Sequence, residues 1–119
     1  MFSIWLPNTI ELYDKYLGDE HCIELIDFLQ YKELISCLNL RKNRIGNLGA
    51  NRIAKFLTEQ DSTLVDIDLN RNRIDADGAT ELVDAVHGTI RIENFAISYG
   101  NQIGSALAMA FEQEIKANT

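Results

Sequence analysis

The chain has 119 residues, 46% of them hydrophobic, and carries 11 basic against 18 acidic side chains for a net charge of −7. This length and apolar content suit a single domain with its own core, and one proline with no low-complexity run or linker gives no sign of a second domain. The negative balance disfavours nonspecific binding to nucleic acid or to an anionic membrane, no stretch has the length and apolarity to cross a bilayer, and two cysteines are too few for a disulfide framework.

The first six residues, Met1 to Leu6, are apolar but lack the basic region and the length of a signal peptide. We expect Phe2, Ile4 and Trp5 to cover the open end of the unit that follows; an exposed edge that pairs two chains is the alternative. Beyond them the chain repeats itself. Residues 35–45 read ISCLNLRKNRI and residues 64–74 read LVDIDLNRNRI, 29 positions later. A fainter copy precedes this pair: Ile10, Leu12, Leu17 and Gly18 fall 28 positions before Leu38, Leu40, Ile45 and Gly46, with Lys15 in place of the asparagine. Another follows it, with Ile92 standing 28 positions after Leu64 and Phe95 and Ile97 in register behind it. One extra residue, near Tyr99 and Gly100, then precedes Asn101 and Ile103. The spacing predicts repeats over 7–34, 35–63, 64–91 and 92–119.

Within each unit the first half alternates apolar and polar residues, the pattern of a strand. The second half repeats too. Cys22, Ala50, Ala79 and Ala108 share one column, and Leu25, Ile53, Leu82 and Phe111 the next apolar one. Phe28, Phe56 and Ala85 follow, then Leu29, Leu57, Val86 and Ile115. These positions make one stripe of an amphipathic helix of about eleven residues. One strand and one helix cannot bury their own apolar faces, whereas a stack of such units buries a continuous core. Cys22 then belongs to the core and Cys37 to the outward side of a strand, on different layers.

The doubled phrase fits LxxLxLxxNxL, and with a helical second half it resembles the ribonuclease-inhibitor-like class of leucine-rich repeats. The resemblance implies an α/β solenoid, a short parallel sheet on the concave side and helices on the convex side. It also implies a non-catalytic module that binds a protein through the concave face. Secreted members usually carry cysteine-rich caps; none is present here, so a reducing, cytoplasmic destination is expected. Short acidic chains of this kind also resemble effectors that intracellular bacteria deliver into the host cytosol, and Glu112-Gln113-Glu114 followed by small polar residues suits a C-terminal export signal or an ordinary helix end.

The register assigns the concave face three rows: Thr9, Cys37, Asp66 and Asn94; then Glu11, Asn39, Asp68 and Ala96; then Tyr13, Arg41, Asn70 and Ser98. Beyond them Lys42 stacks near Arg71 and Arg44 near Arg73, a basic edge beside an acidic floor. A solvated face alone would explain polar residues here. Read as a partner site, Asp66, Asp68 and Arg41 make central contacts, Asn70 lies among them, and Arg44, Arg71 and Arg73 set orientation and on-rate. Tyr13 and Tyr16 would be aromatic anchors at one end. Four strands span only about 15–20 Å, and a standard interface uses about 20–30 residues a side. Tight binding would therefore need the edge loops, a second copy or more repeats. Self-association through the open ends of the stack is the alternative role.

Other constellations carry less. Asp66, Asp68, Asn70 and Asn72 echo a calcium loop, but Arg71 occupies the position that needs glycine and Asp77 the one that favours glutamate. Asp66 and Asp68 lie on an open, solvated face where nothing is expected to raise one pKa, so acid–base chemistry is not expected of the pair. His21 and His87 have no ligand set at zinc spacing, and no phosphate-binding or nucleophile-elbow motif occurs. No enzyme activity, cofactor or metal is expected. Gly46, Gly49, Gly78 and Gly104 are expected at strand-to-helix turns, and Asn43, Asn72 and Asn101 are expected to bond neighbouring turn backbone.

Overall fold

The computed structural model describes residues 8–29, 35–59, 64–87, 92–104 and 107–110. Strands and helices alternate along it: β1 (Thr9–Glu11), α1 (Asp19–Leu29), β2 (Cys37–Asn39), α2 (Asn47–Glu59), β3 (Asp66–Asp68), α3 (Ala76–His87) and β4 (Asn94–Ala96). Residues 107–110 are helical as well. The cap expected of Phe2, Ile4 and Trp5, and the C-terminal positions Phe111 to Ile115, lie outside the described residues.

The four strands form one parallel sheet in chain order. Thr9 pairs with Cys37, Cys37 with Asp66 and Asp66 with Asn94; two positions on, Glu11 pairs with Asn39, Asn39 with Asp68 and Asp68 with Ala96. These are the first two rows expected from the sequence. Between them runs Ile10, Leu38, Ile67 and Phe95. Leu38 and Ile67 are fully buried, whereas their strand neighbours Cys37, Asn39, Asp66 and Asp68 are only half-buried. The alternation thus gives the sheet one core face and one open face. Purely parallel sheets are ordinarily covered on both faces; here the outward row over β2 and β3 is half-buried and lies outside the apolar core.

The helices pack in order, α1 on α2 and α2 on α3. Cys22, Ala50 and Ala79 are fully buried at matching positions, where small side chains let neighbouring helices approach. Gly49 and Gly78 lie inside α2 and α3 and not in the preceding turns as expected. The reason is close packing: a Cβ on Gly49 would stand 2.6 Å from Ile45 Cγ2 and 2.9 Å from Asp19 Oδ1. Asp19 Oδ1 accepts instead from the N–H groups of Gly46 (2.7 Å) and Gly49 (2.9 Å), so the first residue of α1 caps the start of α2.

One member of the expected helical stripe leaves the core. Phe56 and Ala85 are buried, but Phe28 is 56% exposed. Ala85 lines the α2–α3 groove from the α3 side, which places the matching Phe28 on the flank of α1 away from α2. The column is shared by three units, but among the described residues no helix precedes α1.

Candidate functional site

After each strand the backbone turns sharply, and the turns repeat. Asp14, Lys42 and Arg71 all adopt left-handed backbone with φ near 60°, and Gly100 follows at 78°. Successive turns are tied together: Asp14 N–H donates to Arg41 O (3.0 Å), Lys42 N–H to Asn70 O (2.9 Å) and Arg71 N–H to Tyr99 O (2.7 Å). Inside the two middle turns a side chain from the strand row helps. Asn39 Oδ1 accepts from Arg41 N–H and Asp68 Oδ1 from Asn70 N–H, both at 3.0 Å.

Beneath the turns runs the asparagine column. Asn72 Oδ1 accepts from Ile45 N–H (3.0 Å), and its Nδ2 donates to Leu40 O (2.9 Å), Leu69 O (3.1 Å) and Asn70 O (3.2 Å). Asn43 accepts from Lys15 and Leu17 N–H and donates to Leu12, Leu40 and Arg41 carbonyls. Asn101 accepts from Ile74 N–H and donates to Leu69 and Ile97. These asparagines are structural, as their spacing predicts.

The last turn departs from the expected third row. The extra residue of the fourth unit enters at Ser98–Tyr99, because Tyr99 O receives the bond that Asn70 O receives one turn earlier. Tyr99, not Ser98, therefore completes the row of Tyr13, Arg41 and Asn70. Tyr99 N–H donates to Asn70 Oδ1 (3.0 Å), which gives Asn70 a backbone-bracing task. Gly100 is required at this point: its backbone is left-handed, and a Cβ would stand 2.8 Å from Arg71 Cγ and 2.9 Å from Arg71 Cα.

Around these turns sit the charges. A shallow depression of about 480 Å³ is lined by Tyr13, Asn39, Arg41, Lys42, Asp68 and Arg71. Arg41 leans towards Asp68 at 3.9 Å and Lys42 towards Asp14 at 3.7 Å. The Arg71 guanidinium lies 4.9 Å from the centre of the Tyr99 ring, and Arg44 lies 4.9 Å from that of Tyr16. Arg71 also donates to the Tyr99 hydroxyl at 3.4 Å. Tyr13 is 51% and Tyr16 69% exposed. Tyr16 too has a left-handed backbone, uncommon for a bulky residue.

The floor is different. Burial pushes the Cys37 thiol above its usual range, and Asp66, Glu11 and Asp68 push it further. Burial, then Asp68, also raises the Asp66 carboxyl, contrary to the expectation that an open face would leave both unshifted, because the side chain is half-buried in the row. Cys22, in the core, is pushed up to about 12, first by burial and then by Asp19. Both thiols are free.

Of the residues singled out from the sequence, Tyr13, Arg41, Asp68 and Arg71 meet in the depression. Asp66 lies deeper on the floor, Asn70 braces the last turn, and Arg44 and Arg73 stand exposed farther along the edge. Asn39, Lys42 and Tyr99 were missing from that set. The repeat marked Asn39 and Lys42 as columns of the face and edge; Tyr99 was hidden by the inserted residue. A second depression of about 390 Å³ lies between α2 and α3, lined by Asn51, Ala54, Lys55, Thr58, Glu81, Asp84 and Ala85. No helix among the described residues is long and apolar enough to cross a membrane.

No protein-family model matches this chain, and no curated protein matches it. Among solved structures it is similar to the actin-binding site 2 of leiomodin-1, with a TM-score of 0.75 and 15% identity over 92% of this chain. The chain spans 64% of the length of that structure. At this identity the likeness is one of fold.

Proposed function

We propose that the chain is a leucine-rich-repeat solenoid acting as a non-catalytic protein-binding module, with the open sheet face and its turn edge as the contact surface. One observation carries the reading: three consecutive units bring Tyr13, Arg41, Asp68 and Arg71 to a single depression on the uncovered side of a parallel sheet. The asparagine column and the 28–29-residue pairing steps support the repeat class. A structure of similar fold is described as an actin-binding site, which favours a protein as the partner. Nucleic acid and membrane suit a face whose floor is acidic less well. Free thiols on two layers suit a reducing, cytoplasmic compartment, which for a delivered effector would be the host cytosol.

The test compares proteins captured by the wild type with those captured by an Arg71→Glu/Arg73→Glu double variant and by Lys55→Glu, which alters the α2–α3 groove. The double variant should lose specific partners while its circular dichroism stays unchanged, and Lys55→Glu should keep them. An identical set of captured proteins from all three would sink the reading. The alternative is a segment that self-associates end to end. It is favoured by β1 and β4, each paired on one side only among the described residues. Sedimentation velocity across concentrations separates the two, since self-association makes the sedimentation coefficient rise with concentration.

A further inference from the structure

We propose that the depression at the turn edge seats an extended acidic peptide segment of the partner, whose carboxylates pair with Arg41, Lys42 and Arg71. This rests on the protein-binding reading above and names the chemistry recognised at that site.

The first argument is unmet charge. The lining holds three cations, Arg41, Lys42 and Arg71, and one carboxylate, Asp68. Their internal ion pairs stay long, at 3.9 Å for Arg41–Asp68 and 3.7 Å for Lys42–Asp14. A charge-assisted hydrogen bond closes to about 2.7–2.9 Å. The same molecule shows such closure on its helical side, where Arg52 meets Asp27 Oδ1 at 2.9 Å through both Nε and Nη2. The edge cations are held near carboxylates without being consumed by them.

The second argument is preorganisation. Arg71 is fixed at its backbone by the left-handed turn and the bond to Tyr99 O, and at its guanidinium by the Tyr99 ring. Holding an arginine before binding lowers the entropy lost when a carboxylate arrives. Lys42 and Arg71 occupy successive turns, roughly one strand spacing or about 4.8 Å apart along the edge. Alternate side chains of an extended peptide recur at about 7 Å, a mismatch that the long side chain of Lys42 spans while Arg71 stays held.

The third argument is confinement. Glu11, Asp66 and Asp68 stand together on the floor beside Cys37, and the Asp66 carboxyl is raised first by burial and then by Asp68. An acidic chain is repelled from the floor and drawn to the edge. A nucleic acid backbone, broader and more densely charged, would meet those carboxylates as well. On a protein of net charge −7, attraction of an acidic peptide must come from this local arrangement and not from the average field.

The probe is a fluorescein-labelled hexaglutamate peptide, followed by fluorescence polarisation at about 20 mM salt, where screening is weak. The wild type should bind it. Arg71→Glu should weaken binding by about tenfold or more, the equivalent of about 1.4 kcal/mol. Arg41→Glu, outside the left-handed region, gives the same test should Arg71→Glu fail to fold. Lys55→Glu makes the same change of charge on the helical side and should leave affinity within about twofold, because a distant exposed charge is screened. Absence of hexaglutamate binding to the folded wild type would overturn the proposal. So would an equal loss in Lys55→Glu and Arg41→Glu, or tighter binding of a labelled hexathymidylate. Failure here with edge-dependent partner capture intact would leave the protein-binding reading standing.

Discussion

Arg71 and Asn72 are neighbours in the chain and opposites in use. Asn72 is buried and makes four hydrogen bonds to the backbone of its own and the preceding turn. Arg71 is exposed, and its side chain touches the Tyr99 ring and hydroxyl. The same contrast separates Asn43 from Lys42 one unit earlier. A repeat phrase therefore mixes two kinds of residue at adjacent positions. One kind recurs because its amide bonds the backbone of two successive turns, and the other shapes the surface. Function is to be sought in the second kind, and the contrast can be strained by substitution.

The largest effect is expected from Asn72→Ala. It strands the buried Ile45 N–H and takes one of two side-chain donors from Leu40 O, which keeps Asn43 Nδ2. Loss of about 1–3 kcal/mol of stability is expected from such unsatisfied groups, read as a lower urea midpoint with an unchanged slope. An unchanged midpoint would mean that the column is not what closes the turns. Arg71→Ala, one position away, should cost far less and thereby sharpen the distinction.

Gly100→Ala should come next. A side chain there takes a left-handed backbone and meets Arg71 at its own Cα. A cost of about 1–3 kcal/mol is expected where such strain is imposed, at the lower end if Arg71 shifts to make room. The change should also loosen Tyr99 from Arg71, so hexaglutamate binding should fall along with stability. Stability lost with no effect on peptide affinity would show that the Arg71–Tyr99 stack does not prepare the edge.

The sequence told these two kinds apart only in part. The row pairing was legible because strand register copies directly from the repeat, so Cys37, Asp66 and their neighbours stood where their spacing put them. The asparagines were legible because a polar side chain at a fixed place in an apolar phrase has little to do but bond backbone. Tyr99 was not, because an insertion shifts the turn without shifting the strand, and only the bond from Arg71 N–H reveals which residue took the place. Gly49 misled for another reason: glycine reads as a turn signal, whereas here it makes room for Asp19 and Ile45 inside a helix. Phe28 shows what a repeat cannot express: among the described residues α1 has no helix before it, and the flank that α2 and α3 bury is open there.

The smallest effect concerns the floor and has a defined sign. Burial first, then Asp68, raises the folded-state pKa of Asp66 above its unfolded value, so folding disfavours its charged form. The penalty is absent at pH below the ordinary carboxylate range, where Asp66 is protonated folded or unfolded. It grows as pH rises from the unfolded value through the raised folded one, and it is complete at neutral pH. Asp66→Asn removes the charge and keeps the shape, so it should stabilise the protein at pH 7 and lose that advantage in acid. Because the side chain is only half-buried, the gain is discounted for solvent screening to under about 1 kcal/mol. Thermal melts of both proteins from pH 3 to 7 would show the difference opening with pH. A difference that stayed constant, or opened towards acid, would mean that the floor is not strained by its charge. The repulsion invoked to confine an acidic partner to the edge would then lose one of its supports.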